Sequence, residues 1–202
     1  MHTDVRISVI YYSFTGTVAE IAREMAETAE KEGAEVRLRK VPDAASATGK
    51  AAAPAGAAPA GDTVEAPVAC VDDLLWADGV LLGSPTRFGN IAGPLKSFLD
   101  SLGGAWRKQQ LADKVYSGFT ATSSLHGGQE STLLALTTSF HHFGGVVVAP
   151  GYTSPEKFAD GNPYGTAHCD EGRTRPVDDT TRTAARIQAA RVVRFARAVT
   201  AA

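Results

Sequence analysis

Between Gly83 and Asn90 the chain reads Gly-Ser-Pro-Thr-Arg-Phe-Gly-Asn. Thr86 to Asn90 thus offer a hydroxyl, a guanidinium, an aromatic ring, a glycine and an amide at consecutive positions. Such a set could pack along a planar heteroaromatic and hydrogen-bond its polar edge, which suits a flavin better than a nucleoside triphosphate. A second loop, Ser13-Phe14-Thr15-Gly16-Thr17, supplies hydroxyls and a glycine just ahead of a helical pattern. Free N–H groups at that helix start would complete a cradle for a phosphate dianion without any lysine. Serine, threonine and glycine also cap helices for purely structural reasons, so this loop by itself does not decide between the two readings. A Gly-Lys-Ser/Thr ending is absent, as is a GxGxxG fingerprint, which excludes the usual triphosphate and dinucleotide loops. A third glycine-bearing loop runs from Ser123 to Gly128.

These loops must be held by strands, and strands alternate with helices along the chain. Ile7 to Tyr12 is an apolar strand, and Val18, Ile21, Ala22, Met25, Ala26 and Ala29 then mark one helical face that stops near Gly33. Val36 to Val41 is a second, less buried strand, and a short helix covers Asp72 to Trp76. Gly79 to Gly83 is the third strand, followed by the loop above and a helix spaced by Ile91, Leu95, Phe98, Leu99 and Leu102. Val115 to Thr122 is the fourth strand, Gln129 to Phe143 a helix, and Val146 to Ala149 the fifth strand. A long polar loop, Gly151 to Asp179, leads to a last helix ending about Val199. On that helix Arg182, Arg186, Arg191, Arg194 and Arg197 oppose Ala184, Ala185, Val192, Phe195 and Val199, the pattern of a solvated basic face. The expected fold is α/β: a flavodoxin-like, doubly wound, five-stranded parallel sheet of order 2-1-3-4-5 with helices on both faces. Loops at the carboxyl ends of such strands are where ligands bind. The 202 residues are read as one domain, with residues 42–67 an Ala/Gly/Pro-rich surface excursion.

A net charge of -2 gives no electrostatic case for nucleic acid or an anionic membrane. Cys70 and Cys169 lack CxxC spacing, so no metal site is expected and both are read as reduced thiols. The charged N-terminus has no apolar signal region, and no apolar run reaches membrane-spanning length. The expected location is cytoplasmic.

The chain resembles the tryptophan-repressor-binding-protein (WrbA) family of flavodoxin-like, FMN-dependent NAD(P)H:quinone oxidoreductases. Tyr11-Tyr12-Ser13 with Gly16 and the Gly83–Asn90 run carry the resemblance, with Phe98-Leu99-Asp100 and Gly103-Gly104-Ala105-Trp106 behind them. Gly127-Gly128-Gln129-Glu130, His141-His142-Phe143-Gly144, Gly151-Tyr152 and Pro163-Tyr164-Gly165 extend it over nearly the whole chain. The resemblance implies non-covalent FMN. Ser13, Phe14, Thr15, Gly16, Thr17 and Val18 would hold the ribityl phosphate. Pro85, Thr86, Arg87, Phe88, Gly89 and Asn90 would flank the isoalloxazine ring. Ala121, Thr122, Ser123, Ser124, Leu125, His126 and Gly127 would form the other loop beside it, and His141 would reach the flavin. Trp106 would stack against a quinone or nicotinamide, with Tyr152 lining the same opening. Family members often carry an aromatic where this chain has Thr15, and threonine cannot stack.

The reaction so implied is a ping-pong, two-electron transfer from NAD(P)H through FMN to a quinone, in a homotetramer whose subunits help to shape each other's sites. Arg87 would stabilise negative charge on the reduced cofactor, and His141 would donate a proton to the quinone. The alternatives are a flavodoxin-type one-electron carrier and an FMN-binding regulatory or scaffold protein. Without the resemblance, His141 and Trp106 read as ordinary packing residues and Arg87 as half of a surface ion pair.

Overall fold

The computed structural model describes residues 5–43 and 65–201. Most of the low-complexity stretch 42–67 therefore lies outside the described residues. Four central strands, β1 (Arg6–Tyr11), β2 (Glu35–Lys40), β3 (Gly79–Arg87) and β5 (Val115–Thr122), run parallel. Strand β4 (Asn90–Ile91) folds back antiparallel on β3, while β6 (Val146–Val147) and β7 (Thr166–Cys169) both pair with β5. The sheet order is β2-β1-β3-β5-β6, so the expected 2-1-3-4-5 arrangement stands, within a sheet of seven strand segments rather than five.

Both faces of this sheet are covered, which is why β1, β3 and β5 read as near-continuous apolar runs. Val9, Leu81 and Phe119 point to one side, where helices α1 (Thr17–Lys31) and α7 (Asp179–Thr200) pack. Ile10, Leu82 and Tyr116 point to the other, against helices α2 (Val71–Trp76), α3 (Gly93–Ser101) and α5 (Gln129–His142). A short helix, α4 (Gly103–Arg107), follows α3. The helix expected from Ile91 to Leu102 is therefore shorter: Ile91 belongs to β4, because the chain first closes a hairpin, and Pro94 then sets the first turn of α3.

The fifth strand is the main departure. Val146–Val147 pair only with Val115 and Tyr116. The chain then leaves the sheet through residues 148–165, which include helix α6 (Pro155–Asp160), and returns as β7 beside Phe119–Thr122. The expected long loop from Gly151 to Asp179 thus contains a helix and the outer half of the strand. A buried ion pair of Lys157 with Asp160 pins α6. Gln188 of α7, fully buried, bridges the break. Its Nε2 donates to Ser117 Oγ and Gly118 O at 2.7 Å each, and its Oε1 accepts from Thr166 N at 2.7 Å. Replacing Gln188 by leucine keeps the volume but strands these groups. We expect unfolding free energy to fall by about 2–4 kcal/mol in urea titrations. A loss below about 1 kcal/mol would mean that water replaces the amide.

The basic face of α7 is only partly solvated. Arg182 reaches Glu20 (3.1 Å) and Glu24 (3.4 Å) of α1, and Arg186 reaches Glu24 at 2.6 Å. Phe195 is not core: it is 36% exposed, with Arg191 and Arg194 stacked on its ring at 5.3 and 5.0 Å. Among the described residues no helix is long and apolar enough to cross a membrane, and no cluster of three or more His, Cys, Asp or Glu could hold a metal. Cys70 and Cys169 are free thiols.

Asp73 ties α2 to the sheet edge. It accepts from Cys70 N (3.0 Å) and from the Arg39 guanidinium (2.9 Å). Burial pushes its carboxyl pKa up, but the Cys70 N–H and thiol and then Arg39 outweigh this, so the group titrates below its ordinary range. A depressed folded pKa contributes stability above the unfolded value, and that stability is lost as the pH falls through the folded one. Urea midpoints should therefore drop as the pH falls below about 4, and Asp73→Asn should flatten that drop while lowering stability at pH 7.

Candidate active site

Four segments meet at the carboxyl edge of the sheet around a cleft of about 200 Å3. The loop after β1 contributes Ser13, Phe14, Thr15 and Val18, and β3 contributes Pro85, Thr86 and Arg87. The end of β5 and the loop after it contribute Ala121, Thr122, Ser123, Ser124 and Gly127, and Asp170 enters from the end of β7.

The first loop is shaped for an anion. Gly16 N donates to Ser13 Oγ at 3.1 Å, and Gly16 takes φ 94° as the N-cap of α1, a left-handed conformation that glycine adopts freely. No side chain caps the first turn of α1, which leaves its N–H groups available to a ligand. Beneath the loop, burial first and then the hydrogen bond to Asp43 (2.6 Å) push the Tyr12 phenol pKa well up, so the ring carries no charge.

The second segment is a tight hairpin. Thr86 pairs with Ile91 and Arg87 with Asn90, leaving Phe88 and Gly89 as a two-residue turn with φ 54° and 74°. Positive φ at both positions is the geometry of the hairpin turns that favour Asn-Gly, and for Phe88 it costs roughly 1–2 kcal/mol. Yet Phe88 occupies it with its ring fully exposed. The Arg87 guanidinium donates to Thr86 O at 2.9 Å and so stays over the cleft wall.

The third segment is locked to the hairpin. Thr86 Oγ1 donates to Gly127 O at 3.2 Å, and Thr132 Oγ1 lies 2.8 Å from both Thr86 Oγ1 and Gly128 O. Gly128, the N-cap of α5, sits at φ 88°, and a Cβ there would stand 2.6 Å from Gly89 Cα. Thr122 Oγ1 donates to Ser124 O (2.9 Å) and accepts from Gln129 Nε2 (3.1 Å), which fixes the turn.

Asp170 was not foreseen. It is 5% exposed; its Oδ2 accepts from Thr17 Oγ1 at 3.2 Å and its Oδ1 from Arg173 N at 3.1 Å. The residue after a parallel strand at the carboxyl edge belongs in the cleft, but Thr166-Ala-His-Cys169 carries too little apolar signal to read as a strand.

Of the residues expected at the site, twelve line the cleft, and Gly16 and Thr17 share its first loop. Phe88, Gly89 and Asn90 form the hairpin tip, while Leu125 and His126 are exposed on the rim loop. Three residues lie elsewhere. His141 is in the last turn of α5, whose first turn adjoins the cleft; twelve residues at helical rise carry it about 18 Å away. Trp106 is at that same far end, its Nε1 donating to His142 O at 2.8 Å, and it is 51% exposed. Tyr152 lies on the 148–165 excursion, stacked on Phe158 at 4.8 Å with its hydroxyl donating to Gly161 O at 2.9 Å.

The sheet order and the strand-end loops around one cleft define a flavodoxin-like α/β protein. The family described as NADPH-dependent FMN reductase matches residues 6–160. An NAD(P)H dehydrogenase (quinone) of Deinococcus radiodurans is 37% identical over 194 residues, 96% of each chain. One of Geotalea daltonii is 38% identical over 184 residues, covering 87% of this chain and 89% of its own. Among solved structures, the flavodoxin, WrbA-like protein from Agrobacterium tumefaciens superposes with a TM-score of 0.68 at 25% identity, covering 96% of this chain and 99% of that one. The chain belongs to the NADPH-dependent FMN reductase family.

Proposed function

We propose that this protein is an FMN-dependent NAD(P)H:quinone oxidoreductase. The observation that carries the reading is the meeting of an uncapped helix start, a Thr-Arg-Phe hairpin and a hydroxyl-rich loop around one cleft, in a chain 37% identical over nearly its whole length to an NAD(P)H dehydrogenase (quinone). These residues fit FMN: Gly16 leaves open space beside the α1 start for a phosphate, and Thr86, Arg87 and Gly127 wall a slot for a planar ring.

Bound FMN supplies the chemistry, accepting hydride from NAD(P)H and passing two electrons to a quinone. Ser13, Thr15, Thr17 and the α1 N–H groups hold its phosphate end. Thr86 and the hydroxyls of Thr122 to Ser124 orient the ring end. Arg87, freed from Thr86 O, places positive charge at the polar edge, where electron density rises on reduction. Phe88, Asn90, Leu125 and His126 border the opening through which donor and acceptor enter in turn.

His141 and Trp106 act in the cleft of a neighbouring subunit, because their own cleft is about 18 Å away. There Trp106 stacks on the acceptor ring and His141 holds the proton for the quinone oxygen. The homotetramer expected from the sequence, with Tyr152 at an opening between subunits, would bring the pair to such a cleft. We take residues 1–202 as one domain acting in the cytoplasm, with small-molecule rather than nucleic-acid or membrane partners.

The test is anaerobic stopped-flow absorbance on FMN-loaded protein mixed with NADH or NADPH and then with benzoquinone. Bleaching by the nucleotide followed by recovery with the quinone is expected. A flavin that neither nucleotide bleaches, but that dithionite converts to a stable semiquinone, would make the protein a one-electron carrier instead.

A further inference from the structure

We propose that the groove between the carboxyl half of α7 and the loop before α6 is a second ligand site, which takes a linear oligophosphate through Arg191, Arg194 and Arg197. It stands apart from the cleft. Glu32 closes α1 and borders the groove, fifteen residues beyond Thr17 at the cleft, or about 22 Å along the helix. The groove offers about 530 Å3, against about 200 Å3 for the cleft.

The arginines of α7 fall into two groups. Arg182 and Arg186 are neutralised by Glu20 and Glu24 of α1. Among the described residues, Arg191, Arg194 and Arg197 form no ion pair, although all three line the groove. Each is steadied by a neutral group instead. Arg191 Nε donates to Ala149 O at 3.3 Å, Arg197 Nη2 donates to Glu32 O at 2.9 Å, and Arg194 stacks on the Phe195 ring at 5.0 Å. A guanidinium has five N–H donors, so these contacts leave most of each fork to a ligand. Burial first, and then the charge of Arg194, lower the Arg191 pKa; the two cations repel, and an anion between them offsets that repulsion.

Arginines three residues apart rise about 4.5 Å per step, so the three span about 9 Å of the groove. A single phosphate cannot meet all three forks, whereas a chain of phosphates can, with bidentate contacts along it. On the opposite wall Ser154 Oγ is shut off from solvent without a hydrogen-bond partner, and a phosphate oxygen would satisfy it. No described residue lining the groove is aromatic, and the nearby Phe195 ring is already taken by Arg191 and Arg194. The groove therefore recognises the phosphate chain and gives a nucleoside nothing to stack on.

The test is titration calorimetry with sodium triphosphate, ATP and orthophosphate in metal-free buffer, on FMN-loaded protein so that the cleft is occupied. The wild type should bind triphosphate with a Kd below about 1 mM, and orthophosphate at least about tenfold more weakly. ATP should bind no more than about threefold tighter than triphosphate. Arg191→Gln/Arg194→Gln should weaken triphosphate binding at least about tenfold. Arg23→Gln/Arg107→Gln, exposed elsewhere and matched in charge, should change it less than about threefold. Absence of triphosphate binding, a smaller loss in the groove variant, an equal loss in the control, or orthophosphate as tight as triphosphate overturns the proposal. So does a stronger preference for ATP, since the base then supplies the affinity. Should the double variant not fold, Arg194→Gln alone decides, and a loss below about threefold overturns the proposal. A protein that takes up no FMN contradicts the flavin reading alone, because the arginine variants still decide on the flavin-free chain.

Discussion

Gly128→Ala is expected to lower unfolding stability by about 2–4 kcal/mol and to weaken FMN binding at least about tenfold. Two effects combine at this position. A side chain at φ 88° carries left-handed strain, on the order of 1–2 kcal/mol. The added Cβ would also lie 2.6 Å from Gly89 Cα and 3.2 Å from Gly89 N, and backbone atoms cannot rotate aside. The hairpin must move away from the α5 start. That separates Thr86 from Gly127 and Thr132 and opens this wall of the cleft. Gly161→Ala is the matched control: its φ is 76°, but nothing lies within 4 Å of its Cβ position, so it carries the strain without the clash. Urea titration and FMN fluorescence on both variants separate the causes. If Gly128→Ala proves as mild as Gly161→Ala and leaves FMN affinity intact, the contact between the two loops does not shape the site.

The second large effect is expected from the proposed sharing of the site between subunits. Arg87→Ala removes the cleft cation, and the double variant Trp106→Ala/His141→Ala removes the remote pair. Each is expected to lose quinone reduction by about 100-fold or more. Subunits of the two variants, unfolded and refolded together at equal amounts, should regain about a quarter of wild-type activity, since half the clefts are intact and half of those meet an intact neighbour. The double variant should bind FMN normally within its own cleft. A mixture no more active than its components would place Trp106 and His141 outside the catalytic unit.

How much of this was legible in advance depends on where the information sits in the chain. Strands β1, β3 and β5 are buried on both faces, so Val80-Leu81-Leu82 and its counterparts declare themselves as apolar runs. The first loop and the Thr-Arg-Phe-Gly-Asn hairpin are contiguous, and their residue types reveal polar chemistry without knowledge of neighbours. The split fifth strand was less visible. Val146–Val147 and Thr166–Cys169 are each too short to show a period, and the burial of Gln188 between them contradicts its polar type.

By itself, then, the sequence determined the doubly wound class, the order of the main strands and the loops that line the cleft, because each is encoded in consecutive residues. Only the tertiary structure decided what depends on distance between remote segments. It brings Asp170 to Thr17 across 153 positions, sets Gly89 against Gly128, and places Trp106 beside His141 and His142 at the end of α5 remote from the cleft. Side-chain chemistry is a local property of a chain, whereas the meeting of two side chains is a property of the packed sheet and helices between them.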